Sequence, residues 1–182
     1  GSNQLSYRPL RRVYTYKDIW GLSANNKEQK YAMDLLFDKD IQIISLTGQA
    51  GTGKTLIAAA CGLEQVLHST KSQGGYDKLI ITRPVQPMGR DIGFLPGTLE
   101  EKMMPWIAPL RDNLEYLFGD KTALQMHMDP GVVEIEAMTY IRGRSISNAF
   151  MIVDEAQNLT EKELVTVITK VGENSKLFVC GD

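Results

Sequence analysis

Eight residues, Gly48-Gln49-Ala50-Gly51-Thr52-Gly53-Lys54-Thr55, fit the spacing G-x-x-x-x-G-K-[ST]. Glycines at these positions let backbone N–H groups turn inward around phosphate oxygens. A helix that starts there adds the positive end of its dipole. Lys54 is placed for the β- and γ-phosphates of a nucleoside triphosphate, and the Thr55 hydroxyl for Mg²⁺. The plainer alternative is a Gly-rich turn closing a strand. The flanks argue against it, because a β-branched run precedes the motif and an apolar helical face follows it.

Binding a triphosphate is not hydrolysing it. The residues that would supply hydrolysis are Asp154 and Glu155, directly after the apolar run Phe150-Met151-Ile152-Val153. An acid at the C-terminal end of a strand, in the same sheet as the phosphate loop, can hold the metal's water shell. A second acid beside it can accept a proton from an attacking water. Asp154 is therefore the metal-side residue and Glu155 the general base, against the alternative of an acidic turn after a buried strand.

These residues need a frame, and the chain's periodicity supplies one. Asn26 and Gln29 have capping-box spacing, followed by the helical face Tyr31, Ala32, Leu35 and Leu36. Strands are expected at Ile41–Leu46, Leu79–Thr82, Val132–Ile135, Phe150–Asp154 and Lys176–Cys180. One helix is expected after the phosphate loop, with Leu56, Ala60, Leu63 and Leu67 on one face. Another opens at the Thr160/Glu163 capping box and stops at Gly172. Met103, Ile107, Leu110, Leu114 and Leu117 keep a helical period too, but Pro105 and Pro109 predict a restart or kink there. Residues 84–99, rich in proline and glycine, read as a long loop. Alternating strands and helices with apolar-run strands predict an α/β fold, a parallel sheet with helices on both faces. In P-loop ATPases with a catalytic Glu, a further strand lies between the loop strand and the acidic strand. The strand ending at Cys180-Gly181-Asp182 is placed for this, which makes Asp182 either a γ-phosphate sensor or a plain turn acid.

At this point the motifs resemble a known family. Asp154-Glu155-Ala156-Gln157 is similar to motif II of superfamily 1 helicases. Thr82-Arg83-Pro84, Gly93-Phe94-Leu95-Pro96-Gly97, Glu101-Lys102-Met103 and Thr139-Tyr140-Ile141-Arg142-Gly143-Arg144 resemble the PhoH family of phosphate-starvation-inducible ATPases. The resemblance covers roughly residues 20–182. It implies a RecA-like P-loop ATPase core that uses ATP and Mg²⁺, a link to single-stranded RNA or DNA, hexameric rings and, in some members, a fused nuclease domain of PIN type. It also gives Gln29 a role as an adenine reader, in competition with the capping box. An amide can pair with adenine N6 and N7.

Arg83, Arg90, Arg142 and Arg144 follow strands or sit in loops beside them, at the sheet edge where ligands bind. Each is a candidate for nucleic-acid phosphates or for an arginine finger reaching a neighbouring subunit, or else an ordinary surface ion pair. Gln157 is either a coupling residue or a polar lead-in to a helix. His68 and His127 read as surface or helix-end residues. Met103, Met104, Met126 and Met128 read as core filler.

Composition narrows the rest. At 182 residues there is room for one domain and a short appendage. Residues 1–22, where Arg8, Arg11, Arg12 and Lys17 interleave with Tyr7, Tyr14, Tyr16 and Trp20, read as an arm or interdomain linker. That arm is suited to single strands or to packing on its own domain. Residues 23–182 form the ATPase core, expected to lack its C-terminal part. A net charge of −2 excludes a polybasic tail, not nucleic-acid binding. No run of 18 apolar residues exists, so no membrane association is expected. Cys61 and Cys180, far apart and without metal-ligand spacing, read as reduced thiols of a cytoplasmic protein. The expected activity is Mg²⁺-dependent ATP hydrolysis coupled to binding or remodelling single strands. The alternatives are a ring-forming regulatory module without translocation and, more remotely, a small-molecule kinase.

Overall fold

A computed structural model describes residues 16–49, 53–84, 99–138, 141 and 146–181. The described residues form helices α1 (Lys27–Phe37), α2 (Lys54–Leu67), α3 (Leu99–Phe118), α4 (Lys121–Met128) and α5 (Glu161–Lys170). The strands are β1 (Ile43–Thr47), β2 (Lys78–Arg83), β3 (Val133–Ala137), β4 (Ala149–Val153) and β5 (Lys176–Gly181). The five strands make one all-parallel sheet in the order β1-β5-β4-β2-β3. The fold is α/β. The last strand in sequence is inserted between the loop strand β1 and the acidic strand β4, as the motif order predicts.

Parallel strands are covered on both faces, so the inner strands β5, β4 and β2 must be apolar on both. Side chains alternate accordingly. Leu79, Ile81, Phe150, Ile152, Phe178 and Cys180 join the core under α1–α4. Ile80, Met151, Val153, Leu177 and Val179 join a second core that includes Val167 of α5. Helix α2 lies close on the sheet because Gly62 has no side chain. A Cβ there would come within 2.8 Å of Leu79 Cδ1 and 2.9 Å of Phe150 Cδ1.

Helix starts follow the caps written in the sequence. The Asn26 carboxamide accepts from Gln29 N at 2.9 Å, and Thr160 and Glu163 complete a reciprocal capping box. Helix α5 ends at Lys170, and the backbone N–H of Gly172 then reaches Ile146 O at 2.7 Å. A Cβ on Gly172 would lie 2.8 Å from that same oxygen.

Two expectations are corrected. Helix α3 runs unbroken through Pro105 and Pro109, with no restart. The two prolines stand four residues apart and both are exposed, so neither ring has to be packed into the core. The methionines are not uniformly core filler either. Met104 and Met126 are exposed, while Met128 packs against the core. Met104 lies beside the expected helical face, whose Ile107, Leu110, Leu114 and Leu117 do pack into the core.

Residues 16–22 of the expected arm lie on the core. The Tyr16 ring stacks on Phe37 with centroids 4.3 Å apart, and Trp20 meets Phe118 edge-on at 5.2 Å. Ile19 and Leu22 are half-buried against the same core and pair with each other through two backbone hydrogen bonds. The rest of the arm, residues 1–15, lies outside the described residues, as does the proline- and glycine-rich loop over 85–98.

One core residue is a cation. Lys176 is fully buried, and its ammonium donates to the carbonyls of Leu35 (2.7 Å) and Asp38 (2.5 Å) at the end of α1. Burial pulls its pKa down from 10.5 to about 8, against the opposing pull of the Asp38 carboxylate. The unfolded chain therefore binds more protons than the folded one between pH 8 and 10.5, and this residue's contribution to stability rises with pH across that window. Urea unfolding of the wild type and of Lys176→Met should show the wild type gaining on the variant from pH 8 to 10 by up to about 3 kcal/mol. A difference that stays flat with pH would contradict the buried-cation account.

Candidate nucleotide site

The C-terminal ends of β1, β5, β4 and β2 lie at one edge of the sheet, and the start of α2 faces them. Register sets this edge, with Thr47 opposite Gly181, Val153 opposite Val179, and Thr82 opposite Val153. Gly53 has φ +75°, the left-handed conformation in which glycine carries no steric penalty, and the helix starts at the next residue. Gly48 N donates to Gly181 O at 3.1 Å, which ties the end of β1 to the end of β5.

Lys54 and Thr55 open α2. The Lys54 ammonium donates to Gly48 O (2.6 Å) and Gly181 O (2.9 Å), so it bridges the same two strand ends. Thr55 Oγ1 donates to Asp154 Oδ1 at 2.7 Å. These two residues are 99 positions apart in sequence, and their oxygens meet where the motif requires a metal site. A hydroxyl and a carboxylate are hard oxygen donors. Mg²⁺ takes one or two such groups from the protein and completes its shell with phosphate and water. The oxygen donors of Thr55 and Asp154 therefore fit Mg²⁺.

Asp154 is half of a shielded ion pair. Arg83, the last residue of β2, donates to Asp154 Oδ2 from Nη2 at 2.6 Å and from Nε at 3.2 Å. The two side chains are only 16% and 13% exposed. The same Nη2 lies 3.7 Å from Glu155 Oε1, and Nη1 reaches the carbonyl of Trp106 in α3 at 3.4 Å. Glu155 is the more open acid, with its side chain 45% exposed. Its backbone is left-handed, φ +52°, a costly conformation for a residue with a Cβ, and it turns the chain from β4 into the one-turn segment Ala156–Asn158. The Asn158 amide approaches Glu155 Oε2 at 3.5 Å.

Gln157 packs against the end of β5. A Cβ on Gly181 would meet Gln157 Oε1 at 2.6 Å and its backbone N at 2.9 Å. Gly181 thus lets the segment after Glu155 rest on the residue whose carbonyl holds Lys54. Gln29 lies at the loop side. Its Oε1 accepts from Asn25 N at 2.7 Å. It also lines a small cavity of about 60 Å³ with Asn26, Thr47, Gly48, Lys54 and Phe178. The Gln29 side chain thus bonds the backbone just before the Asn26 cap and borders the space beside the phosphate loop. Gly48 and Gln49 follow β1 into the loop. Ala50, Gly51, Thr52, Arg90, Arg142, Arg144 and Asp182 lie outside the described residues.

Cys180 belongs to the site as well, and the sequence reading missed it. Its Sγ lies 3.3 Å from Thr55 Oγ1 and 3.6 Å from Asp154 Oδ1. Burial pushes its pKa up to about 12, so it sits there as a neutral thiol. Its place at the C-terminal end of a strand in the loop's sheet was the available signal. Cys61, by contrast, is buried in the core away from this edge, and burial raises its pKa too.

A sequence profile described as PhoH-like protein matches residues 21–182. The chain belongs to the PhoH family. Among relatives, "Protein PhoH2" of Bacillus subtilis (strain 168) is 48% identical over 175 residues, covering 94% of this chain and 39% of the relative. "Protein PhoH" of Escherichia coli (strain K12) is 38% identical over 168 residues, 91% of this chain and 45% of the relative. A "PhoH-like protein" of Synechocystis sp. is 43% identical over 135 residues, 74% of this chain and 39% of the relative. The chain thus spans less than half the length of these PhoH proteins. No described helix is long and apolar enough to cross a membrane.

Proposed function

We propose that this PhoH-family chain binds ATP with Mg²⁺ at its phosphate loop and hydrolyses it, and that hydrolysis is coupled to binding or remodelling single-stranded RNA or DNA. One observation carries the nucleotide assignment. Lys54 and Thr55, neighbours in the phosphate loop, converge at the sheet edge with Asp154, 99 positions beyond Thr55, with a 2.7 Å contact between the two oxygen donors.

The chain's residues divide the work. The N–H groups at Gly48–Thr55 and the start of α2 hold the phosphates, Lys54 balances charge on the β- and γ-oxygens, and Gln29 borders the space for the base. Thr55 and Asp154 would hold Mg²⁺, which neutralises charge on the phosphates when bound. Glu155, open to solvent beside Asp154, accepts the proton of the attacking water. Arg83 and Asn158 keep its carboxylate in place. Catalysis is then positioning and charge stabilisation more than covalent chemistry. The nucleic-acid partner and a homo-oligomeric ring extend the family resemblance. A cytoplasmic setting extends the reading of Cys61 and Cys180 as reduced thiols. The division into an arm (1–22) and a core (23–182) extends the change in composition and periodicity between them.

A second reading is a nucleotide-dependent assembly module that moves nothing along a strand. The inward turn of Arg83 favours it, because this candidate for nucleic-acid phosphates is engaged with Asp154. Phosphate release measured with and without poly-RNA or single-stranded DNA separates the two. A rate raised severalfold by either polymer supports the coupled ATPase. A rate that ignores both, with no polymer bound at low salt, supports the assembly module instead.

A further inference from the structure

Arg83 holds three elements together at the site. One face of its guanidinium binds Asp154 at the end of β4, its Nη2 also faces Glu155, and its Nη1 donates to the Trp106 carbonyl of α3. Asp154 divides its oxygens between separate partners. Oδ1 meets the Thr55 hydroxyl and the Cys180 thiol beside it, and Oδ2 carries Arg83. The pair is largely shielded from water, so its charge interactions are weakly screened.

We propose that Arg83 is a positioning residue that serves as the resident cation of Asp154 and Glu155, so that a divalent metal binds this chain well only together with a nucleotide. The inference rests on the assignment of Thr55 and Asp154 to the nucleotide's metal. The charge balance explains it. Two carboxylates face Arg83, and Lys54 stands at the neighbouring strand ends, so the cluster is near neutral before any ligand arrives. A dication at Oδ1 would sit within a few ångströms of the guanidinium on Oδ2 and gain little. A triphosphate brings several negative charges to the same place and reverses the balance.

The same arrangement carries a signal. When the metal and nucleotide draw on Asp154, the guanidinium loses its reason to stay on Oδ2. Its bond to the Trp106 carbonyl changes with it. Helix α3 is thereby linked to occupancy of the nucleotide site through one side chain, across β2 and β4.

Mn²⁺ is the probe. Titrated into the nucleotide-free chain and followed by its electron paramagnetic resonance signal, it should bind Arg83→Gln roughly tenfold more tightly than the wild type, with Arg83→Lys between them. Trp106 gives a second readout, since the chain has two tryptophans and Trp20→Phe leaves it as the only indole. Its emission should change when Mg·ATP is added, and Arg83→Gln should abolish the change. Equal Mn²⁺ affinity in wild type and Arg83→Gln overturns the inference. Should that variant fail to fold, a Trp106 signal indifferent to Mg·ATP in the Trp20→Phe chain overturns it equally. A fluorescent ATP analogue distinguishes the failures. If the analogue binds and Mn²⁺ affinity does not respond to Arg83, the Arg83 inference alone is wrong. If no nucleotide binds, the site assignment falls and the inference with it.

Discussion

Lys54→Ala should weaken ATP binding by about a hundredfold or more while leaving the fold intact. Lys54 is the first residue of α2, and its ammonium sits between the carbonyls of Gly48 and Gly181, at the ends of β1 and β5. A charged hydrogen bond to a phosphate oxygen contributes about 1.5–3 kcal/mol, and two such bonds amount to at least about two orders of magnitude in affinity. Alanine is a good helix former, so α2 keeps its first turn. The two carbonyls released lie at the open sheet edge, where water can reach them. Titration with a fluorescent ATP analogue, beside a melting curve, checks both halves. An unchanged affinity with an unchanged melting temperature would contradict the phosphate cradle.

The second large effect is on turnover. Glu155→Gln should retain ATP binding and slow hydrolysis by about 10²–10⁴-fold, the usual contribution of a positioned general base. The substitution keeps size and shape and removes the proton acceptor. It leaves the contacts of Asp154 with Thr55, Arg83 and Cys180 in place, so the metal side of the site is undisturbed. Glu155 is also the more exposed of the two acids, which limits any effect on stability. Single-turnover hydrolysis and equilibrium binding, measured on the same preparation, separate the two steps. Retained hydrolysis would move the base to another residue.

The frame around these residues was readable because its signals are local. A capping box needs four residues, a buried strand about five, and the phosphate loop eight. Each fixes a strand end or helix start within a short span. The insertion of β5 between β1 and β4 followed from motif order, and the all-parallel sheet bears it out. Contacts across the sheet were not readable in this way. Arg83 meets Asp154 across 71 positions, and Cys180 meets Thr55 across 125. Sequence placed each at a strand end without saying which neighbour it would meet. Helix α3 shows a different limit. Proline costs a helix a hydrogen bond and a clash with the preceding turn, yet the exposed Pro105 and Pro109 are carried within a helix whose Leu110 and Leu114 are buried, a property of packing. For Gln29 the spacing leaves a cap and an adenine reader as alternatives, and its side chain bonds the Asn25 backbone while bordering the cavity beside the loop.

The central claim is that Lys54, Thr55 and Asp154 form one Mg·ATP site. Calorimetric titration of the wild-type chain with ATP tests it most directly, run once with Mg²⁺ and once with the metal chelated. The account predicts one saturable site per chain with Mg²⁺, and markedly weaker binding without it. No saturable binding in Mg²⁺, or the same affinity whether the metal is present or chelated, would contradict it.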